Sequence, residues 1–256
     1  MNVAKASLTN AYAGDEHAVM QAINSYLEVE KVRNQIFERL EEWYSIYFPE
    51  MRASSPTSLA RFVIGFGGDK KKATIEELRK AIGEGAEKLH KQIGDSIGRE
   101  PGEEEYNTIK TMAESELNLL ATENKIDAYL EKSVKKLMPN ISYFIDYKVA
   151  AELLAKAGSL ERLAMMPSST VQLLGAEKAL FKHLKYGTKP PKYGILFKLP
   201  QIVSAQKSVK GKLARLYANK ISIAAKADAF SHNFIAEKLK ADIEKATKRG
   251  AERQRR

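Results

Sequence analysis

The chain has 256 residues, 42 Lys plus Arg against 32 Asp plus Glu for a formal charge of +10, and no cysteine. Without sulfur, disulfide-stapled folds, thiolate metal sites, iron–sulfur clusters and cysteine nucleophiles are excluded. His17, His90, His183 and His232 include no i, i+4 pair, the spacing that sets two imidazoles on one helix face, so no metal site is expected. The N-terminus lacks the apolar core of a secretory signal, and no apolar run approaches the roughly 18 residues needed to cross a bilayer. The sequence therefore reads as a soluble, cytoplasmic protein.

The charge is unevenly placed. Residues 1 to 133 carry 17 basic and 23 acidic groups, net −6, whereas residues 134 to 256 carry 25 and 9, net +16. From Lys178 to Lys226, 49 residues hold 12 Lys or Arg and no acid, so this stretch cannot neutralise itself locally. It needs counterions, the acidic half or a polyanion, and nucleic acid is the partner expected. Acidic lipid is the main rival, but no lipidation motif or Trp and Phe stripe accompanies the lysines.

Apolar residues recur at helical spacing almost throughout and sustained alternation is scarce, so the fold class is expected to be all-α. A first helix is predicted from about Asp15 to Phe48, with Val29, Val32, Ile36, Leu40, Trp43 and Tyr47 on its buried stripe, Asp15 as cap and Pro49 at its end. Residues 52 to 74 form a connector. Its glycine-rich run from Arg61 to Lys72 lacks the GxxxxGK[ST] spacing of a phosphate loop and is read as a hinge.

Two long helices follow, near 74 to 97 and 103 to 138, joined by a Pro-Gly turn. Ile75, Leu78, Ile82, Leu89 and Ile93 form the first apolar seam, and Ile109, Leu119, Ile126 and Leu130 the second. Such seams are buried by another helix, which suggests an antiparallel coiled-coil hairpin and, because one hairpin buries little, a homodimer through it. Three parts result: residues 1 to 73, the hairpin 74 to 138, and a compact helical domain from 139 to 256.

In that domain Ser168 and Ser169 suit a helix N-cap and Gly187 a C-terminal stop. Lys189 to Lys192 is a stiff link, and a final helix is predicted from about Lys207 towards Lys248. On it Lys212, Arg215, Asn219, Ser222 and Lys226 share one polar face, suited to a rail of phosphate contacts, with Leu213, Leu216, Ile223, Ala224 and Phe230 opposite. Asp146, Glu152, Glu161, Glu177 and Asp228 form no metal motif, and no S-adenosylmethionine-type glycine loop follows a strand, so an independent RNA-modifying enzyme is the weaker alternative.

Residues Leu154–Leu163 (LAKAGSLERL), Met166–Gln172 (MPSSTVQ), Leu174–Phe181 (LGAEKALF), His183, Leu184 and Lys189–Lys192 (KPPK) follow one signature in order and spacing. Glu42 to Tyr44, Phe48 to Glu50, Ala214 to Lys226 and Asp228 to Phe230 extend it. This pattern resembles the Nop domain, and most closely the archaeal Nop scaffold of the box C/D small ribonucleoprotein. The resemblance implies a non-catalytic scaffold that holds a kink-turn guide RNA, a kink-turn-binding ribosomal-protein homologue and the methyltransferase fibrillarin. It implies no cofactor on the chain itself, S-adenosylmethionine belonging to fibrillarin.

By the same resemblance Gly175 to His183 is the helix that faces RNA and its bound protein. Gly175 and Ala176 would admit a phosphate to free helix amides, Lys178, Lys182 and Lys185 would supply charge, and Gln172, Glu177 and His183 would lie at the joint surface. Lys189, Lys192 and Tyr193 match the loop that approaches RNA, where the aromatic can stack on an unpaired base. Lys182 stands where arginine is common and Tyr193 where histidine is common. The family's folded N-terminal domain docks fibrillarin; 14 residues precede Asp15 in this sequence, so the fibrillarin contacts are not assigned. A Nop-domain splicing factor, or a general RNA-binding protein without fibrillarin, is the alternative.

Overall fold

The computed structural model describes residues 14–252, and among them there are helices and connecting turns with no strand. In order the helices are α1 (Asp15–Tyr44), α2 (Pro56–Phe66), α3 (Ile75–Ile82), α4 (Ala86–Gly94), α5 (Glu103–Leu137), α6 (Pro139–Ser142), α7 (Tyr147–Ala157), α8 (Leu160–Met165), α9 (Ser168–Leu173), α10 (Glu177–Tyr186), α11 (Pro200–Val203), α12 (Lys207–Lys226) and α13 (Ala236–Glu252). The chain is all-α, as its periodicity indicates. It divides into two compact units, one spanning Tyr26–Lys125 and the other made of residues up to Ser25 with the chain from Ile126 onward.

Within Tyr26–Lys125 the long partner of α5 is α1, not the segment 74 to 97. Arg33 donates to Glu116 at 2.7 and 3.0 Å and also to Glu123, while Leu40 and Tyr44 share one buried cluster with Ile109 and Ala113. The later α1 residues thus meet the earlier α5 residues, which makes the pair antiparallel. Glu116 is fully buried and its Oε2 accepts no hydrogen bond. Burial pushes its carboxyl up and Glu123 adds to this, against the pull of Arg33.

The expected helix 74 to 97 is broken into α3 and α4 because Gly83 and Gly85 adopt φ of 74° and 95°, a region that β-carbons disfavour. Each piece has its own start: Thr74 and Glu77 cap α3 reciprocally at 3.3 and 3.1 Å. Together with α2, which Ser55 caps and Pro56 begins, they bury Leu59, Phe62, Leu78, Leu89 and Ile93 against Leu40, Tyr44, Tyr47 and Phe48. Phe62 lies 6.0 Å from Tyr44, 5.8 Å from Phe48 and 5.7 Å from Phe66, ring to ring, spacings at which aromatic pairs attract beyond simple area burial.

This core corrects two expectations. Leu78, Leu89, Ile93 and Ile109 are covered by their own chain and Leu130 is also buried, so these positions offer a second copy no seam. Ile82, Leu119 and Ile126 are half-buried and Ile75 is exposed. Trp43, expected inside, is 36% exposed, and Tyr44 takes the buried place. The glycine-rich run is structural. Gly68 lets the Tyr106 ring approach to 3.1 Å of where a β-carbon would sit, and Tyr106 donates to the Ile64 carbonyl at 2.9 Å. Lys70 is 1% exposed and bonds Glu100 at 3.0 Å and the Gly98 carbonyl at 3.3 Å, so its amine is committed inside the fold.

In the other unit Asp15 is the first residue of α1 and pairs with Lys136 at 2.8 Å, while Glu16 accepts from the Leu160 amide at 3.1 Å. The central element is α12, whose Leu213, Ala214, Tyr217, Ala218, Ile221, Ala224 and Ala225 are buried. It packs on α8, α9 and α13, and its alanines permit close approach on several sides. Asp146 caps α7, Gly158 at φ 88° ends it, and Ser159 caps α8.

The single final helix expected from Lys207 is interrupted. A π turn over Ala227–Ser231 and a left-handed His232 (φ 54°) separate α12 from α13. The break is held by two buried polar side chains. Asp228 accepts from the Asn140 amide (3.0 Å), the Asn140 side chain (2.7 Å) and the Ile141 amide (3.1 Å), satisfying the first turn of α6. Asn140 in turn donates to Asn233 O (3.0 Å) and accepts from Ile235 N (2.7 Å).

Candidate nucleic-acid interface

Residues 176 to 193 form an arm whose two ends are fastened together. Ile195 N donates to Leu174 O at 2.8 Å and Gly194 N to Gln172 O at 3.0 Å, a short backbone pairing of residues about twenty apart. Both glycines at this root are required. Gly175 has φ +84° and a β-carbon there would stand 2.6 Å from Ile195 Cγ1; one on Gly194 would stand 1.9 Å from Leu174 O. The sequence resemblance marked Gly175, but Gly194 shows its purpose only through this contact.

Helix α10 buries none of its residues. Phe181, Leu184 and Tyr186 are 63%, 74% and 66% exposed, and Lys178, Lys182, Lys185, Lys189 and Lys192 are exposed with them. A ten-residue helix with apolar and cationic groups both in solvent gains little from its own packing, so its shape rests on caps. Gly187 ends it in the left-handed conformation, with Gly187 N on His183 O at 2.9 Å, and the His183 ring bonds the Thr188 carbonyl. Lysine and aromatic side chains interleaved on one projecting element are the combination that engages a phosphate backbone and bases together.

The start of α10 differs from the expectation. The Gly175 amide is taken by the Glu177 carboxylate at 2.7 Å and the Ala176 amide by Leu173 O at 2.9 Å, so these two amides are not free for an anion. Partial burial opposes the charge on Glu177, but bonds from Gly175 and its own amide, with Lys156 nearby, hold its carboxyl below the usual range. Gln172 is likewise engaged within the fold: its side chain donates to Lys192 O at 2.6 Å. Ser168 is the first residue of α9 and Pro167 holds the cap position, with no side-chain cap bond.

On α12, Lys212, Arg215, Asn219 and Lys226 are exposed as expected. Ser222 is not: it is 8% exposed and donates to Met166 O at 3.2 Å, whereas Ile223, expected inside, is 45% exposed. The rotation of the helix, set by α8 and α9 on its other side, decides this. Two cations of the acid-free stretch are paired with acids from outside it, Lys198 with Glu152 at 2.5 Å and Lys220 with Asp242 at 2.6 Å. The arm lysines face solvent. Asn140 and Asp228 were not singled out for the roles they hold, and no local pattern announces them, because their partners are 87 to 95 residues distant in sequence.

The family model described as Nop, snoRNA binding domain, fibrillarin, matches residues 26–249. An uncharacterized NOP5 family protein of Methanocaldococcus jannaschii is 36% identical over 233 residues, covering 90% of this chain and 55% of that protein. Nucleolar protein 56 of Dictyostelium discoideum is 36% identical over 229 residues, 85% of this chain and 42% of that one. Nucleolar protein 58 of Neurospora crassa is 34% identical over 216 residues, 83% and 36% respectively. This chain thus spans about half or less of the length of these curated relatives. Among solved structures, a chain from the crystal structure of a fibrillarin/Nop5p complex is similar at a TM-score of 0.45 and 24% identity, over 94% of this chain and 81% of that one. With the family model matching most of the sequence, and the Leu154–Lys192 signature running from α7 through α8 and α9 into the arm, the chain belongs to the Nop family.

Proposed function

We propose that this protein is a non-catalytic scaffold of a box C/D guide ribonucleoprotein. In this reading it binds a kink-turn guide RNA together with the kink-turn-binding ribosomal-protein homologue, and positions fibrillarin for ribose 2′-O-methylation. The methyl donor S-adenosylmethionine belongs to fibrillarin. The observation that carries the reading is α10: a helix with nothing buried, its apolar Phe181 and Leu184 set among Lys178, Lys182 and Lys185. Such a surface suits a composite partner, apolar protein on one side and phosphate on the other. The resemblance supplies the identity of those partners, and the exposed Lys212, Arg215, Asn219 and Lys226 extend the cationic surface along α12.

The test is a gel shift of the full chain on a kink-turn RNA, with and without the kink-turn-binding protein, followed by addition of fibrillarin. A supershift that requires the first protein is expected, because the surface recognised is joint; tight, selective binding to RNA alone refutes that point. If six to ten phosphates are engaged, affinity falls by roughly a thousandfold or more between about 50 and 200 mM salt. A flat salt response removes the Lys178–Lys226 surface from the reading, and turnover by the purified chain alone removes the scaffold role.

A further inference from the structure

Charge joins the middle of the α1–α5 pair. Between Tyr26 and Leu40 no residue of α1 is buried, and between Ala113 and Leu130 the one buried residue of α5 is Glu116. The apolar side chains of that stretch, Ile36, Leu119 and Leu120 among them, are half-buried. Arg33 spans the seam. Its Nε and Nη2 donate to Glu116 Oε1 at 3.0 and 2.7 Å, and its Nη1 donates to Glu123. About two helical turns separate Glu116 from Glu123, which sets both on one face of α5 within reach of a single guanidinium.

One positive charge therefore faces two negative ones. The side chains of Arg33 and Glu123 are 12% and 13% exposed and that of Glu116 is fully buried, so water screens the surplus poorly. Both Arg33 donors to Glu116 fall on one oxygen, and Oε2 accepts nothing. A buried carboxylate oxygen without a partner costs more than a neutral carboxyl in the same place, and a proton on Oε2 brings the cluster to zero charge. Arg33 from α1 and Glu123 on α5 itself are the charged groups that act on Glu116: burial opposes its ionisation, Arg33 favours it and Glu123 opposes it. We propose that the Arg33–Glu116–Glu123 cluster is a proton-operated clamp on the α1–α5 seam, closed while Glu116 is neutral and loosened when that proton leaves for solvent. Because the folded value is raised, the contribution is complete below the ordinary 4.5 and is lost as pH rises through the folded value. The half-buried apolar residues beside the cluster cannot replace it, so the loss falls on this stretch of the pair.

The experiment uses the full chain, carbon-13 labelled at its glutamate side chains, with the Glu116 carboxyl assigned through its own backbone amide and titrated by NMR. A midpoint above 4.5 is expected. Glu123→Gln moves that midpoint down, since the guanidinium then serves Glu116 alone and the like charge is gone. Amide protection factors, which divide out the intrinsic pH dependence of exchange, fall over residues 114 to 125 as pH rises through the midpoint, while those at Leu59 and Phe62 hold. Glu116→Gln keeps the shape of the neutral acid and makes protection over the same stretch independent of pH. A wild-type midpoint at or below the ordinary value overturns the proposal. So does a Glu116→Gln chain whose protection over 114 to 125 follows the wild-type pH profile. A raised midpoint that Glu123→Gln leaves unmoved assigns the effect to burial alone and overturns the shared-cation clamp. The wild-type titration and Glu123→Gln decide the matter even where Glu116→Gln does not fold.

Discussion

Replacement of Asn140 by alanine tests whether a buried amide and carboxylate hold the break between α12 and α13. The side chain makes three hydrogen bonds, to Asp228 Oδ1 (2.7 Å), Asn233 O (3.0 Å) and Ile235 N (2.7 Å). A bond to a charged group contributes about 1.5–3 kcal/mol and a neutral one about 0.5–1.5 kcal/mol. Water can replace Asn140 at the exposed Asn233 but less well at the half-buried Ile235, so the expected loss is about 3–4 kcal/mol. Asp228 keeps only its two backbone donors while 4% exposed. Burial already pushes its carboxyl up against the pull of Asn140, Ile141 and His232, and removing one donor raises it further. A folded-state value above the unfolded one contributes stability below the unfolded value, lost as pH rises through the folded one. The deficit of Asn140→Ala should therefore be larger at pH 8 than at pH 5. Urea denaturation followed by far-UV circular dichroism at both pH values measures this, with amide exchange at Ile235 as the local readout. A loss below about 1 kcal/mol, or a deficit that grows on acidification, refutes the reasoning.

Leu78→Ala lowers stability by about 2–5 kcal/mol through a cavity in the aromatic core and leaves the solution mass unchanged by light scattering; an altered mass without loss of stability would return Leu78 to an interface between copies. The triple change Lys178→Glu, Lys182→Glu, Lys185→Glu leaves the thermal midpoint nearly unmoved because α10 buries nothing, yet it reduces the magnitude of the salt slope of RNA binding by about 2–3 if each lysine meets one phosphate. An unchanged slope removes those contacts. The Arg99 guanidinium bonded to Glu105, with the Gly102 amide, holds the Glu105 carboxyl down at about 2. Its contribution is present above the ordinary value of 4.5 and lost as pH falls through about 2. Carbon-13 titration of the Glu105 carboxyl reads this directly, and a midpoint near the ordinary value contradicts the pairing.

Helical periodicity alone was enough to make the chain all-α, whereas the resemblance marked a helix over Gly175 to His183 without showing that residues 176 to 193 are closed into an arm at Gly194 and Ile195. Gly187 was legible because a stop signal acts within one turn of its own helix. The break at Gly83 and Gly85 was equally local and was overridden by the regular spacing of Leu78, Leu89 and Ile93. The covering of each apolar face was not local. Periodicity states that Ile109 and Leu130 are on an inward face, but not that α1 lies opposite Ile109, since Arg33 meets Glu116 across 83 residues. The same holds for Ser222, whose burial depends on the Met166 carbonyl, and for Gln172, whose amide looks available in sequence and is spent on Lys192. A side chain's type limits the bonds it can make, whereas the partner that receives them is chosen when distant segments pack, and only the tertiary structure contains that choice.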